Sequence, residues 1–186
     1  MKKRCLALLL VTMACAGVFA QEQPVGRTYN IGDTGPAGGI VFYDKGTFSD
    51  GWRYLEAAPA ETEFTAEWGA YGTDVSGTET EVGTGRRNTE IIVGRLEGLG
   101  ETGRAAQLCA DLNFGGVDDW FLPSKDELDL MYKNLKAKDL GGFSNNLYWS
   151  SSQNGYHNSW FQYFIEYLQA SAGKDLTLPV RAIRAF

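Results

Sequence analysis

Residues 119–135, DWFLPSKDELDLMYKNL, limit the fold of this chain more than any other stretch. Pro123 sets a corner between an apolar strand end and a helix, so one motif fixes the direction of three consecutive elements. Ser124 and Glu127 stand at capping-box spacing, where hydroxyl and carboxylate each take an amide of the first helical turn. Asp126 and Glu127 also complement the positive end of the helix. Leu128, Met131, Tyr132 and Leu135 recur at i, i+3, i+4 and i+7, which gives the helix one apolar face. Folding accounts for every residue of the motif, and none of them names a ligand.

The chain opens with Lys2, Lys3 and Arg4, continues through an apolar run, and reaches Val18-Phe19-Ala20 before the polar Gln21-Glu22-Gln23. This is the pattern of an export signal, too short and wrongly flanked for a membrane span. We therefore expect a signal peptide over residues 1–20, a polar linker over 21–28 and one domain over 29–186. Two processing readings stay open. Cleavage after Ala20 gives a secreted, periplasmic or cell-surface product, whereas processing before Cys15, in Thr12-Met13-Ala14-Cys15, gives a lipid-anchored one.

Cleavage after Ala20 leaves 166 of the 186 residues, the size of one domain with a sizeable core. It also removes three basic residues and no acidic one, which takes the formal charge from −6 to −9. Such a surface repels nucleic acid at long range, so no nucleic-acid partner is expected. Cys109 is then the one cysteine left, so no intramolecular disulfide forms, and its place on the apolar side of a predicted helix makes it a buried small hydrophobe.

Turn-rich residues 30–37 feed a short β-rich run, residues 38–44, ended by Lys45-Gly46. Residues 52–58 alternate with period two and stop at Pro59, a second strand expected to pair with the first. Residues 61–87 are rich in Gly, Thr and Glu and read as a long packed loop whose Phe64, Trp68 and Tyr71 need burying. Asn88 or Thr89 is placed to cap a helix through about Glu97. Thr102 is placed to cap another, carrying Ala105, Leu108, Cys109 and Leu112. After Gly141-Gly142, a strand is expected over 148–152, a turn over 153–158, a return strand over 159–168 and a last strand over 180–186. Trp52, Trp120 and Trp149 are assigned to the core.

The segments Gly35-Pro36-Ala37-Gly38-Gly39-Ile40-Val41-Phe42-Tyr43, Gly51-Trp52-Arg53-Tyr54-Leu55-Glu56-Ala57-Ala58-Pro59 and Asp119-Trp120-Phe121-Leu122-Pro123-Ser124-Lys125-Asp126-Glu127-Leu128 occur in this order. Tyr148-Trp149-Ser150-Ser151-Ser152 and Val180-Arg181-Ala182-Ile183-Arg184 follow them. Together they resemble the Lcl C-terminal-like domain family. The resemblance implies an α+β fold of C-type-lectin-like or formylglycine-generating-enzyme-like type, with short helices packed on twisted antiparallel sheets and long irregular loops. It also implies extracellular binding, with sulfated glycans among the family's ligands, and a homo-oligomer, a trimer. Polyanionic glycans need clustered Lys and Arg, which a charge of −9 does not supply. Neither the Glu-Pro-Asn and Trp-Asn-Asp tripeptides of calcium-dependent lectins nor the paired catalytic cysteines of the formylglycine enzymes are present.

His157 is the one histidine, which excludes histidine-cluster metal sites and HExxH proteases. Ser150, Ser151 and Ser152 lie in a predicted strand, not at a nucleophile elbow. Gly98-Leu99-Gly100-Glu101-Thr102-Gly103 fits GxGxxG by letter but follows a helix, so it reads as an interhelical turn. Carboxylates at Glu61, Glu63, Glu67, Glu79, Glu81, Asp118 and Asp119 read as a solvated acidic face. The turn over 153–158 and its flank supply the candidate ligand-binding residues: Asn154, Tyr156, His157 and Trp160. Their stacking faces and planar hydrogen-bonding groups suit sugar or peptide recognition. The expectation is an exported, non-catalytic binding or adhesion module of a bacterial cell envelope, with a glycan or extracellular protein as partner and no cofactor or metal. The alternatives are a carboxylate-dependent hydrolase of envelope polysaccharide and a self-associating structural protein.

Overall fold

In the computed structural model, which describes residues 27–186, the apolar runs become short strands and three helices. In chain order these are β1 (Ile40–Ser49), β2 (Trp52–Ala57), β3 (Phe64–Glu67), α1 (Gly85–Leu99), α2 (Ala105–Ala110), α3 (Lys125–Asn134), β4 (Leu147–Asn154), β5 (Asn158–Tyr163), β6 (Leu168–Gly173), β7 (Thr177–Val180) and β8 (Ile183–Ala185). Three small sheets result, ordered β1-β2-β8, β3-β7 and β4-β5-β6, and every pairing is antiparallel. The architecture is α+β, as the sequence indicates. The expected signal peptide over residues 1–20 and most of the expected linker over 21–28 lie outside the described residues.

The motif at 119–135 organises two cores at once. Trp120 and Leu122 enter a cluster with Trp68, Ile92, Cys109 and Trp149, while Phe121 points the other way, into a cluster with Phe42, Leu128, Met131 and Phe164. This is the period-two alternation of an extended segment, held straight by Phe121, which exchanges two 2.9 Å backbone hydrogen bonds with Ile183 of β8. At the corner Ser124 Oγ accepts from the Glu127 N–H at 3.3 Å, and Glu127 Oε2 accepts from the Ser124 N–H at 2.7 Å. Glu127 Oε1 also accepts from the Gly83 N–H at 2.8 Å, so one carboxylate joins the start of α3 to the approach of α1. Cys109 is fully buried, and burial pushes its thiol well above the ordinary range, which leaves it unreactive.

Several expectations are corrected. β1 runs through Lys45-Gly46 to Ser49, because the reversal falls at Asp50-Gly51, whose φ values of 53° and 82° are those a two-residue hairpin demands. The loop over 61–87 contains β3, whose partner β7 lies near the end of the chain. Helix α1 starts at Gly85, before Asn88 and Thr89, which are buried within it. Asn88 Oδ1 accepts from the Glu79 N–H at 2.8 Å and its Nδ2 donates to the Glu79 carbonyl at 2.7 Å, so it clamps a loop as a strand partner would. Thr89 Oγ1 donates to the Gly85 carbonyl and accepts from the Leu122 N–H. At α2 it is Gln107, not Thr102, that satisfies the helix entry, accepting from the Arg104 N–H at 3.0 Å. The return strand expected over 159–168 stops at Tyr163, the end of β5, and β6 begins only at Leu168.

The expected last strand is also divided. β7 ends at Val180 and β8 begins at Ile183, and the intervening Arg181 is 1% exposed. Its guanidinium donates to the carbonyls of Ala58 at 3.2 Å and Gly141 at 2.9 Å and to Glu63 Oε2 at 2.6 Å, over the Phe143 ring. Tyr148 Oη donates to the same carboxylate oxygen at 2.8 Å. The chain thus changes sheets around one buried cation.

Gly115 gives a direct test of how closely the loops approach. Its φ is +68°, and a Cβ there would lie 2.0 Å from the Ala37 carbonyl oxygen. Gly116 has a φ of +77° with open space around it. Gly115→Ala should lower stability by about 2–3 kcal/mol and Gly116→Ala by about 1 kcal/mol, read from urea midpoints. Equal losses would contradict the close approach.

Candidate functional site

The β4–β5 hairpin projects a turn at residues 155–157, and Gly155, with a φ of +82°, allows the reversal. Tyr156 is 60% exposed at its tip, and Tyr71 from the preceding loop is 54% exposed beside it. The Tyr71 and His157 rings meet edge to face with centroids 5.0 Å apart. Backbone hydrogen bonds hold the group from two sides. The Gly72 N–H donates to the Tyr156 carbonyl at 3.1 Å, and the Lys174 N–H donates to the His157 carbonyl at 2.8 Å.

Beneath the turn Lys174 is fully buried, its Nζ donating to the Thr73 carbonyl at 3.0 Å and to Gln153 Oε1 at 2.7 Å, over the Trp68 ring. Gln153 Oε1 also accepts from the Val75 N–H at 2.7 Å, and its Nε2 donates to Asp74 Oδ1 at 2.7 Å. Burial pushes the Lys174 ammonium down to about 8, against the opposing pull of Asp74. The exposed rings therefore stand on a backbone that is already ordered, which lowers the entropy a ligand must overcome on binding.

The four residues expected at this site divide into two sets. Tyr156 and His157 form the tip with Tyr71. Asn154 turns its amide to Ser171 Oγ at 2.8 Å, and Ser171 is the register partner of Trp160, so Asn154 and Trp160 share a face of the sheet. Trp160 is half-buried, with Lys125 Nζ 4.9 Å from its ring centroid. Tyr71, which the sequence assigns to burial, is exposed because its loop packs beside the turn and not beneath it. Sequence alone places it in a different loop, and the fold is what brings it to His157.

Other candidates have structural duties. Ser150 Oγ donates to the Trp160 carbonyl, Ser152 Oγ donates to the Glu79 carbonyl, and Ser151 Oγ accepts from Asn88. The expected acidic face is in part a set of ion pairs: Glu63 with Arg181, Glu67 with Arg104, Glu79 with Arg87, and Asp119 with Arg184 and Arg86. Gly100 takes a left-handed φ of 72° at the end of α1, so the glycine cluster is the turn between helices. Among the described residues no group of three or more His, Cys, Asp or Glu side chains is placed to hold a metal ion. No helix among them is long and apolar enough to cross a membrane.

No protein-family model matches the chain, and no curated protein matches it. Among solved structures it is similar to a fimbrial protein from Bacteroides ovatus ATCC 8483, with a TM-score of 0.53 and 14% identity over 72% of this chain. The matched region is 36% of that protein's length, and the likeness is one of fold.

Proposed function

We propose that this chain is a non-catalytic binding or adhesion module of the cell envelope, recognising a glycan or an extracellular protein through the β4–β5 turn. The observation that carries this reading is the ordered aromatic tip of Tyr71, Tyr156 and His157, exposed on a backbone fixed from both sides. Exposed aromatics are usual anchors in recognition surfaces, since they bring large contact area with few rotatable bonds. In this reading the fold is C-type-lectin-like and of the Lcl C-terminal-like type, which the order of the sequence motifs supports. The likeness to a fimbrial protein supports a place at the cell surface. Delivery follows from the signal at residues 1–20, with cleavage after Ala20 or lipid attachment at Cys15.

The test is capture on an array of glycans and matrix proteins, with and without calcium. Tyr156→Ala and Tyr71→Ala should each lower capture about tenfold or more while leaving the far-ultraviolet circular dichroism unchanged. Full capture by both folded variants would reject the tip as the site.

A further inference from the structure

A second surface, away from this turn, gathers polar groups that are paired only loosely with one another. A cleft of about 270 Å³ opens between the β1–β2 hairpin and the first turns of α1, walled by Asp50, Trp52, Arg86, Arg87, Glu90 and Phe121, with Glu127 beneath. Arg86, Glu90 and Phe121 also border a shallower depression of about 400 Å³ that continues along α1 past Val93 and Gly94 to Trp120. The two depressions adjoin at these three residues and together make the candidate groove.

The polar groups of this groove are held by weak contacts, with Asp50 facing Lys45 at 3.7 Å. Among the described residues the Glu90 carboxylate makes no hydrogen bond or ion pair. Arg87 approaches Glu79 no closer than 3.6 Å, beyond hydrogen-bond reach, and Arg86 meets Asp119 at only 3.4 Å. Trp52, expected in the core, is instead half-buried at the rim, with Lys45 Nζ 3.8 Å from its ring centroid. Across both depressions Arg86 and Arg87 stand among Asp50, Glu90, Glu97, Asp118 and Asp119, which leaves no excess positive charge, so the groove does not select a polyanion.

Gly94 is an independent sign. A glycine inside a helix weakens it, and this one is not required by packing, since a Cβ there would meet nothing within 4 Å. It lines the shallower depression, where a long side chain would project into the open space.

We infer that this groove binds an uncharged oligosaccharide, one sugar ring against Trp52 in the deeper cleft and the next over Gly94. The deeper part is slightly smaller than the roughly 300–1,000 Å³ of drug-sized sites, the scale of a single ring. Apolar ring faces suit Trp52, and sugar hydroxyls take donors from Arg86 and Arg87 and acceptors from Glu90 and Asp50. The inference rests on the binding-module reading but assigns recognition to a different surface, so the two can fail separately.

The experiment titrates the protein with a panel of neutral and sulfated oligosaccharides by calorimetry, at low and high salt. A neutral oligosaccharide should bind with little salt dependence, and Trp52→Ala and Gly94→Leu should each weaken it tenfold or more, while Tyr156→Ala should not. Gly94→Leu adds a side chain into open space, so it blocks the groove without disturbing the core. Loss of binding in Tyr156→Ala alone would overturn the groove and leave the turn as the site. A panel in which only sulfated sugars bind, or none, would also overturn it, and protein capture at the turn would be unaffected by that result.

Discussion

Arg181→Met should lower the unfolding free energy by about 3–5 kcal/mol, the usual cost of removing one partner from a buried ion pair. The guanidinium is 1% exposed and engages two carbonyls as well as Glu63, so methionine leaves the Ala58 and Gly141 carbonyls without this donor and a carboxylate without its cation. Its buried Nε has no partner, so the site is already imperfectly satisfied. A second replacement separates causes: if the loss is the uncompensated charge of Glu63, then Arg181→Met with Glu63→Leu should be more stable than Arg181→Met alone. Urea unfolding at pH 7 reads both. A loss below about 1 kcal/mol for Arg181→Met, the value of a surface pair, would show that this cation is not holding the junction of β7 and β8.

Glu127 should give the chain a stability that declines as pH rises from 4.5 to 7. Burial pushes this carboxyl up from the ordinary 4.5 to about 7, although the N–H groups of Ser124, Gly83 and Gly85 favour its charged form. Between those two values the folded state holds more protons than the unfolded state, so raising the pH favours unfolding. The stability is fully present below pH 4.5 and is lost by pH 7, an effect of about 3 kcal/mol. Burial also raises Glu56, against its pairing with Arg184, so the wild-type slope alone does not identify the group. The comparison with Glu127→Gln does. The stability difference between wild type and this neutral variant should shrink across that window, and a constant difference would mean that Glu127 does not titrate there.

The capped helix was legible because its signals are local: Ser124, Glu127 and the apolar spacing from Leu128 to Leu135 lie within a few turns. The β1–β2 hairpin was legible for the same reason, although its turn was assigned to Lys45-Gly46 in place of Asp50-Gly51. What the sequence hid depends on distant partners. β3 is four residues long and exists because β7 pairs with it. Asn88 and Thr89 look like caps, yet their side chains bind the backbone of Glu79 and Leu122. The break at Arg181 follows from a carboxylate more than a hundred residues earlier. At the candidate site Tyr156 and His157 were visible as a polar turn, while Tyr71 and the Lys174 support beneath them came from other segments. Trp52 stands in a core-like motif, and only its position at the groove rim shows that one side of it is open.

The segment from β7 to β8 completes two of the three sheets, β7 against β3 and β8 against β2. Neither pairing can close until this segment has met partners more than a hundred residues earlier in the chain. Long-range pairings of this kind form slowly, so these two sheets should be the last to gain amide protection when the unfolded protein is returned to native buffer.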